Sequence, residues 1–319
     1  MKGYDRLFSG IAAGPAAHHR KTRVNNGILL ALLAYAVYSW SDAAVKALSG
    51  GLTVFEIGFY AAVISSICIV LTTPKDENWL HFWRMKRPWA VQARALSGAS
   101  ASILGVIAFT SIPLAEVYAL IFVAPFFVTL LSLFVLKEQV GPWRWFAVVA
   151  GFVGVLLVVQ PGFRELGYGH LAALCIALLA AVSVILMRSL SAQETRTTML
   201  GFLMLYVLLF NAVGMAATGF ALPTLEQTAI LLVTGVLAAV GNICLLRATR
   251  FAPANQLAPT HYSQIVWAVF IGALIFDEQP DIVSVIGLAV IAGSGLLTLA
   301  RERIRLGTVR WNPFGRNRL

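Results

Sequence analysis

Residues 112–162 read IPLAEVYALIFVAPFFVTLLSLFVLKEQVGPWRWFAVVAGFVGVLLVVQPG, and residues 251–300 read FAPANQLAPTHYSQIVWAVFIGALIFDEQPDIVSVIGLAVIAGSGLLTLA. The two stretches echo each other at a separation of 140 positions: Pro113 recurs as Pro253, and Glu138-Gln139 recurs as Glu278-Gln279. A long apolar run separates each proline from its Glu-Gln, and a second run rich in Gly, Val and Leu follows. A period this long, filled with hydrophobic segments, is the mark of a duplicated membrane domain rather than of a soluble array of short repeats.

Composition agrees. Hydrophobic residues make up 59% of the 319, and only 12% are charged. A soluble domain carries about a quarter charged residues, so the chain reads as an integral membrane protein. Crossing a bilayer as a helix takes ~17–25 apolar residues, and ten runs qualify: roughly 27–48, 53–73, 90–111, 114–136, 143–160, 169–187, 198–220, 226–249, 255–276 and 281–300. The runs are continuous rather than alternating, which selects helices over barrel strands. The first 26 residues are basic and polar and lack a signal-peptide pattern, so they read as a tail. Cys68, Cys175 and Cys244 all fall in apolar runs, without metal-ligand spacing, and read as small core residues.

The net charge of +10 is a topology signal. With a cytoplasmic N-terminus, all of the 24 Lys and Arg except Lys46 and Arg164 fall on inner loops, inner helix ends or tails, as the positive-inside rule requires. Nucleic acid is therefore not the expected partner. Ten spans then place both termini inside. Five spans per half is an odd number, so the second half runs opposite to the first. Glu138-Gln139 comes out on the inner side and Glu278-Gln279 on the outer. A weaker echo, Lys46-Ala-Leu-Ser after span one and Arg188-Ser-Leu-Ser after span six, inverts in the same way. The expected fold class is all-α integral membrane, with ten transmembrane helices from two inverted five-helix repeats.

On these residues the chain resembles the EamA repeat of the drug/metabolite transporter superfamily. The shared marks are the mid-span Pro125, the Glu after the fourth helix of each repeat, the Gly151-x-x-Gly154 pair, and an opening span carrying Asp42-Ala-Ala-Val-Lys46. The resemblance covers about residues 27–300 and implies a ten-helix bundle with a central cavity and alternating access. Residues 27–162 would form the first repeat and 163–300 the second. Residues 1–26 and the basic residues 301–319 would be cytoplasmic tails. Tyr60 stands in span two where many members of the family carry arginine, which removes that basis for an anionic substrate.

Polar groups inside a membrane are costly and usually face the bundle interior or a watery cavity. Tyr35, Tyr38, Ser39, Asp42 and Lys46 recur at three- and four-residue steps, so they share one face of span one. That stripe is expected to line the cavity; the alternative is a helix interface with Asp42 and Lys46 paired at i,i+4. Span nine carries five consecutive polar residues, Thr260 to Gln264. Within it His261 is the first candidate for proton sensing because its charge changes near neutral pH; Asp42 is the second. Tyr262, Gln264 and Trp267 join the cavity candidates from span nine, Tyr60 from span two, and Tyr206 and Asn242 from the second half, where Asn211 is a further isolated polar group. Glu56, Glu116 and Tyr118 lie near span ends and read as interfacial. Glu138 and Glu278, at loop edges, read as caps or partners of a neighbouring basic group. Pro125 and Pro259 are hinge candidates, since each removes a helical hydrogen bond. Small-residue rows at Ala173/Ala177/Ala181, Ala147/Gly151 and Ala289/Gly293 predict close helix packing.

The chain has no nucleotide-binding loop of the G-x-x-x-x-G-K-[ST] type, and its carboxylates are scattered singly rather than clustered as a metal site or nucleophile–base pair would need. A catalytic residue, a cofactor and a metal are all unexpected, and a membrane-embedded lipid-modifying enzyme is the remote alternative. The expected function is secondary transport of small organic metabolites, amino acids or related compounds, with export as the direction. An uncoupled facilitator or an importer is the alternative. Expected partners are a small-molecule substrate and the lipid bilayer of a bacterial inner membrane, with the protein acting as a monomer.

Overall fold

Three of the helices begin on a threonine whose hydroxyl accepts a backbone N–H from the first turn. Thr53 accepts from Glu56, Thr195 from Thr198 and Thr224 from Gln227. In two of them the side chain three residues on reaches back to the cap, closing a capping box. The computed structural model describes residues 15–72, 79–135, 142–162, 165–190, 193–252 and 257–309. Within them run helices α1 (Pro15–Ala47), α2 (Val54–Leu71), α3 (Pro88–Ser111), α4 (Leu114–Ile121), α5 (Ala124–Val135), α6 (Pro142–Val159), α7 (Tyr168–Leu190), α8 (Arg196–Thr218), α9 (Leu225–Phe251), α10 (Ser263–Ile275) and α11 (Ile282–Val309). Among the described residues every regular element is a helix, and each of the ten expected spans has its helix. Six segments are long and apolar enough to cross a membrane; four more, within α6, α7, α10 and α11, are apolar but shorter.

Two spans differ from a plain helix. The fourth is broken at Phe122 and Val123, directly before Pro125, so that α4 and α5 meet there. Proline has no N–H to donate and crowds the carbonyl four residues back, which stops an unbroken helix at this point. The ninth opens as a tight 3-10 turn over Ala258–Tyr262 and becomes α-helical only from Ser263. His261 and Tyr262 therefore sit on a turn, not on the mid-helix belt that an unbroken span from 255 would give. At the termini, α1 begins inside the segment expected to be tail, and α11 continues past residue 300.

Long antiparallel pairings order the bundle. Helix α1 runs along α9, α3 along α7, and α6 along α11; α2 lies against both α8 and α9, and α3 also meets α8. Small residues set these approaches. Ala173, Ala177 and Ala181 are all fully buried, so the expected row on α7 lies at an interface. The row expected on α11 does not. Ala289 is exposed and a Cβ at Gly293 would meet nothing. The α6–α11 seam runs instead through Gly154 and Gly287: a Cβ on either would press on the other's carbonyl oxygen, at 2.8 and 2.6 Å. Both helices are apolar almost all round, so composition does not mark which face turns inward. Phe146, Val149 and Phe152 on α6 and Ile282, Val285 and Ile286 on α11 stay exposed. Such a surface suits hydrocarbon rather than water.

Candidate functional site

A cavity of about 420 Å³ lies between α1, α2, α3, α8 and α9, with Ile121 of α4 and Ile176 of α7 completing the wall. On α2 the wall extends from Ile57 to Ile69, about 18 Å at the helical rise. On α1 it ends at Val45, one residue before Lys46. Most of the lining is apolar; the polar members are Ser41, Asp42, Ser65, Ser66, Ser102, Thr234 and Asn242.

Asp42 is the ionisable group of this wall. The phenol of Tyr118 donates to its Oδ2 at 2.5 Å. Tyr118 is buried, its ring 5.7 Å from that of Phe109, and its oxygen lies 3.4 Å from both Ser39 Oγ and Gln264 Nε2. Span four thus holds the carboxylate of span one, with residues of spans one and nine behind it. Lys46 does not pair with Asp42. Its Nζ lies 2.6 Å from Glu278 Oε1, donates to the Ile112 carbonyl at 2.7 Å, and rests 5.5 Å from the centre of the Phe276 ring. The other oxygen of Glu278 accepts the Leu114 N–H at 3.0 Å. A single carboxylate thereby ties the end of span one, the turn between spans three and four, and the connection between spans nine and ten.

The same end of the bundle is knitted elsewhere. Glu56 closes the Thr53 capping box with Oε2 and accepts the Ala221 N–H with Oε1 at 2.8 Å. Gln227 closes the Thr224 box and donates to the Gly51 carbonyl at 3.2 Å. His170 Nε2 meets Glu116 Oε2 at 2.9 Å, and its Nδ1 accepts the Gly167 N–H. That second contact leaves Nε2 as the protonated nitrogen. At the opposite end Glu194 accepts the N–H groups of Lys86 and Arg87 at 2.7 and 2.5 Å.

The remaining sequence candidates divide by location. Asn242 lines the cavity, its amide donating to the Ala238 carbonyl. Ser39 and Gln264 stand one hydrogen bond behind Asp42. The other aromatic candidates lie outside the cavity wall. Tyr38 faces α9, where a Cβ on Gly241 would strike its ring. Tyr60 meets Phe59 edge-on, Tyr206 meets Phe210 and Trp267 meets Phe270. His261 stacks on Tyr35 at 4.7 Å and Tyr262 on Phe122 at 4.8 Å, so the span-nine turn is packed against the break in span four. Pro125 is the second residue of α5, just after that break, and Pro259 stands in the turn. Glu138 and Pro253 lie outside the described residues. Sequence reasoning missed Tyr118, taken as interfacial, and the serines Ser41, Ser65, Ser66 and Ser102. The available signal for Tyr118 was a lone phenol one turn inside an apolar run.

Comparison with known proteins fits this arrangement. The riboflavin transporter of Rhizobium johnstonii is 30% identical over 222 residues, 70% of this chain and 74% of that protein. The pseudopaline exporter CntI of Pseudomonas aeruginosa is 30% identical over 266 residues, 83% and 92% of the two chains. The S-adenosylmethionine uptake transporter of Rickettsia prowazekii is 25% identical over 279 residues, 87% and 94% of the two. A protein of known crystal structure shares the fold at a TM-score of 0.63 and 16% identity, over 88% of this chain and 99% of that one. Residues 25–160 and again 167–300 match the EamA-like transporter family.

Proposed function

This chain belongs to the EamA-like transporter family, a multi-pass membrane transporter for small molecules, and on that premise we propose that it is a secondary exporter of amino acids or related metabolites. Substrate passes by alternating access through the Asp42 cavity. The observation that carries the reading is the make-up of that cavity. Its wall combines Asp42, Gly58, Ser102 and Phe109 from the first half with Leu203, Thr234, Ala238 and Asn242 from the second, as expected for a site between two moving halves.

The fold proposed with it is a pair of inverted repeats, 27–162 and 163–300, flanked by the tails 1–26 and 301–319, with both termini cytoplasmic in a bacterial inner membrane. The helix pairings support the repeat. Exchanging each span with the one five places on turns the pairing of spans one and eight into that of six and three, and that of two and eight into seven and three; all four pairings occur. The pairings of two with seven, four with nine and five with ten map onto themselves, and these occur too. Glu56, opening span two, holds the connection after span seven, while Glu194, just before span seven, holds the connection after span two.

Asp42 is the proposed coupling residue, with His261 as a second candidate behind the aromatic packing. Pro125 and Pro259 are the proposed hinges, since both stand where a helix is interrupted. The one alternative with a specific observation behind it is import or uncoupled facilitation, because the relatives include an uptake transporter as well as an exporter. Reconstitution in liposomes tests the coupling: flux is expected to rise when a pH gradient or membrane potential is imposed. Equal rates with and without both gradients would replace coupled export with facilitated exchange.

A further inference from the structure

Among the described residues, the cavity wall holds one carboxylate and no Lys, Arg or His. Its other polar groups are neutral hydroxyls and an amide. Three of these donors are already used on backbone: Ser41 Oγ donates to the Thr234 carbonyl at 3.0 Å, Thr234 Oγ1 to the Ile230 carbonyl at 2.9 Å, and Asn242 Nδ2 to the Ala238 carbonyl at 2.9 Å. They keep acceptor capacity toward a ligand but little to offer an anion. Asp42 receives a hydrogen bond from Tyr118, and a phenol brings no positive charge. Lys46, one turn on, is held by Glu278 and the Ile112 carbonyl. A carboxylate away from bulk water and without a cation is costly. A positive group entering the cavity removes that cost, whereas a second carboxylate adds like-charge repulsion to it. Around this polar spot the wall is Val45, Ile57, Val106, Phe109, Ile121 and Leu203, which suits a hydrophobic body. The volume falls within the range of small-ligand pockets, ~300–1,000 Å³.

We propose that the cavity takes an organic cation, an ammonium, guanidinium or sulfonium group on a largely apolar body, with Asp42 as its counter-ion, and that a free carboxylate on the same molecule is rejected. This rests on the transporter reading and keeps, of the substrates proposed above, only the amine relatives, setting the amino acids themselves aside. The reason is an asymmetry of the wall: a zwitterion would find a partner for its ammonium group and none of opposite charge for its carboxylate.

Four probes that share one phenol ring separate charge from shape: tyramine (cation), tyrosol (neutral), tyrosine (zwitterion) and 4-hydroxyphenylacetate (anion). Flux of each is measured in liposomes holding the full chain, wild type, Asp42→Asn and Asp42→Glu, all checked for monodispersity before reconstitution. Tyramine is expected to move at least ~10-fold faster than the other three in the wild type. Asp42→Asn should lower the tyramine-to-tyrosol ratio by ~10-fold or more, and Asp42→Glu, which restores the charge, should keep the cation first. Tyrosine or the anion moving as fast as tyramine overturns the charge assignment and leaves the transporter reading standing. An unchanged ratio in Asp42→Asn overturns it as well. Absence of flux for all four in well-folded wild-type protein counts against the transporter reading itself, and this proposal falls with it.

Discussion

Asp42 is spaced to meet Lys46 on its own helix, yet the carboxylate that does so is Glu278. At Glu278 both oxygens are engaged, one by the lysine and one by the Leu114 amide, and the side chain is 20% exposed. Charge, hydrogen bonds and chain connections close on one another there, as a structural ion pair must if it is to offset desolvation. At Asp42 one oxygen takes a neutral phenol and the group borders open volume. The first carboxylate holds helix ends together; the second stands at the wall of a cavity with a neutral phenol as its partner. Two chemically similar groups are divided in role by the placement of one lysine.

The sharpest way to break this contrast is Asp42→Asn, which keeps size and removes charge. Transport of the cationic substrate is expected to fall by ~100-fold, in the lower half of the range for losing a buried charged partner, while the melting profile in detergent stays close to wild type. A large loss of stability instead would make Asp42 a structural group like Glu278. Next in size is Lys46→Ala, which leaves Glu278 without its cation. A loss of about 2 kcal/mol, read as ~5 °C in apparent Tm, is expected, and the swapped pair Lys46→Glu with Glu278→Lys should recover part of it. Tyr118→Phe should lower transport by ~12-fold, the lower end for one hydrogen bond to a charged group, without altering the order of preference among charge types. The smallest effect belongs to Asn242→Ala, within ~3-fold in flux, because the amide is already bonded to its own helix.

Much of the fold was legible in the sequence because a bilayer imposes it. Each span needs a continuous apolar run, so the ten helices could be placed within a few residues. Asp42 stood out for the same reason, as a charge in such a run, but of its neighbours at helical spacing Tyr35, Tyr38, Ser39 and Lys46 do not line the cavity. The Lys46–Glu278 pair was not, since its members are far apart in sequence and local spacing pointed Lys46 at Asp42. Tyr118 was missed because an aromatic near a span end is the normal sign of a membrane interface. The cavity serines were missed because a helical serine can satisfy itself on its own backbone, so its presence does not reveal which way it faces. The Gly154–Gly287 contact was half visible. Gly154 belongs to the Gly151-x-x-Gly154 pair of span five, while the small-residue pattern on span ten points to Ala289 and Gly293, which lie on its exposed face. A helix apolar on every side keeps its orientation hidden until its neighbour is known.

The lysine at the closed end also makes the molecule its own reporter. Its ammonium is shared among a carboxylate, a carbonyl and an aromatic face, with 12% of the side chain exposed. An amine-reactive reagent needs an unengaged nitrogen and a line of approach, and Lys46 offers neither while Glu278 and the Ile112 carbonyl hold it. Its labelling rate therefore counts how often this end of the bundle comes apart. Substrate or an imposed gradient that speeds the opening would register as faster modification at one position, with no probe engineered into the chain.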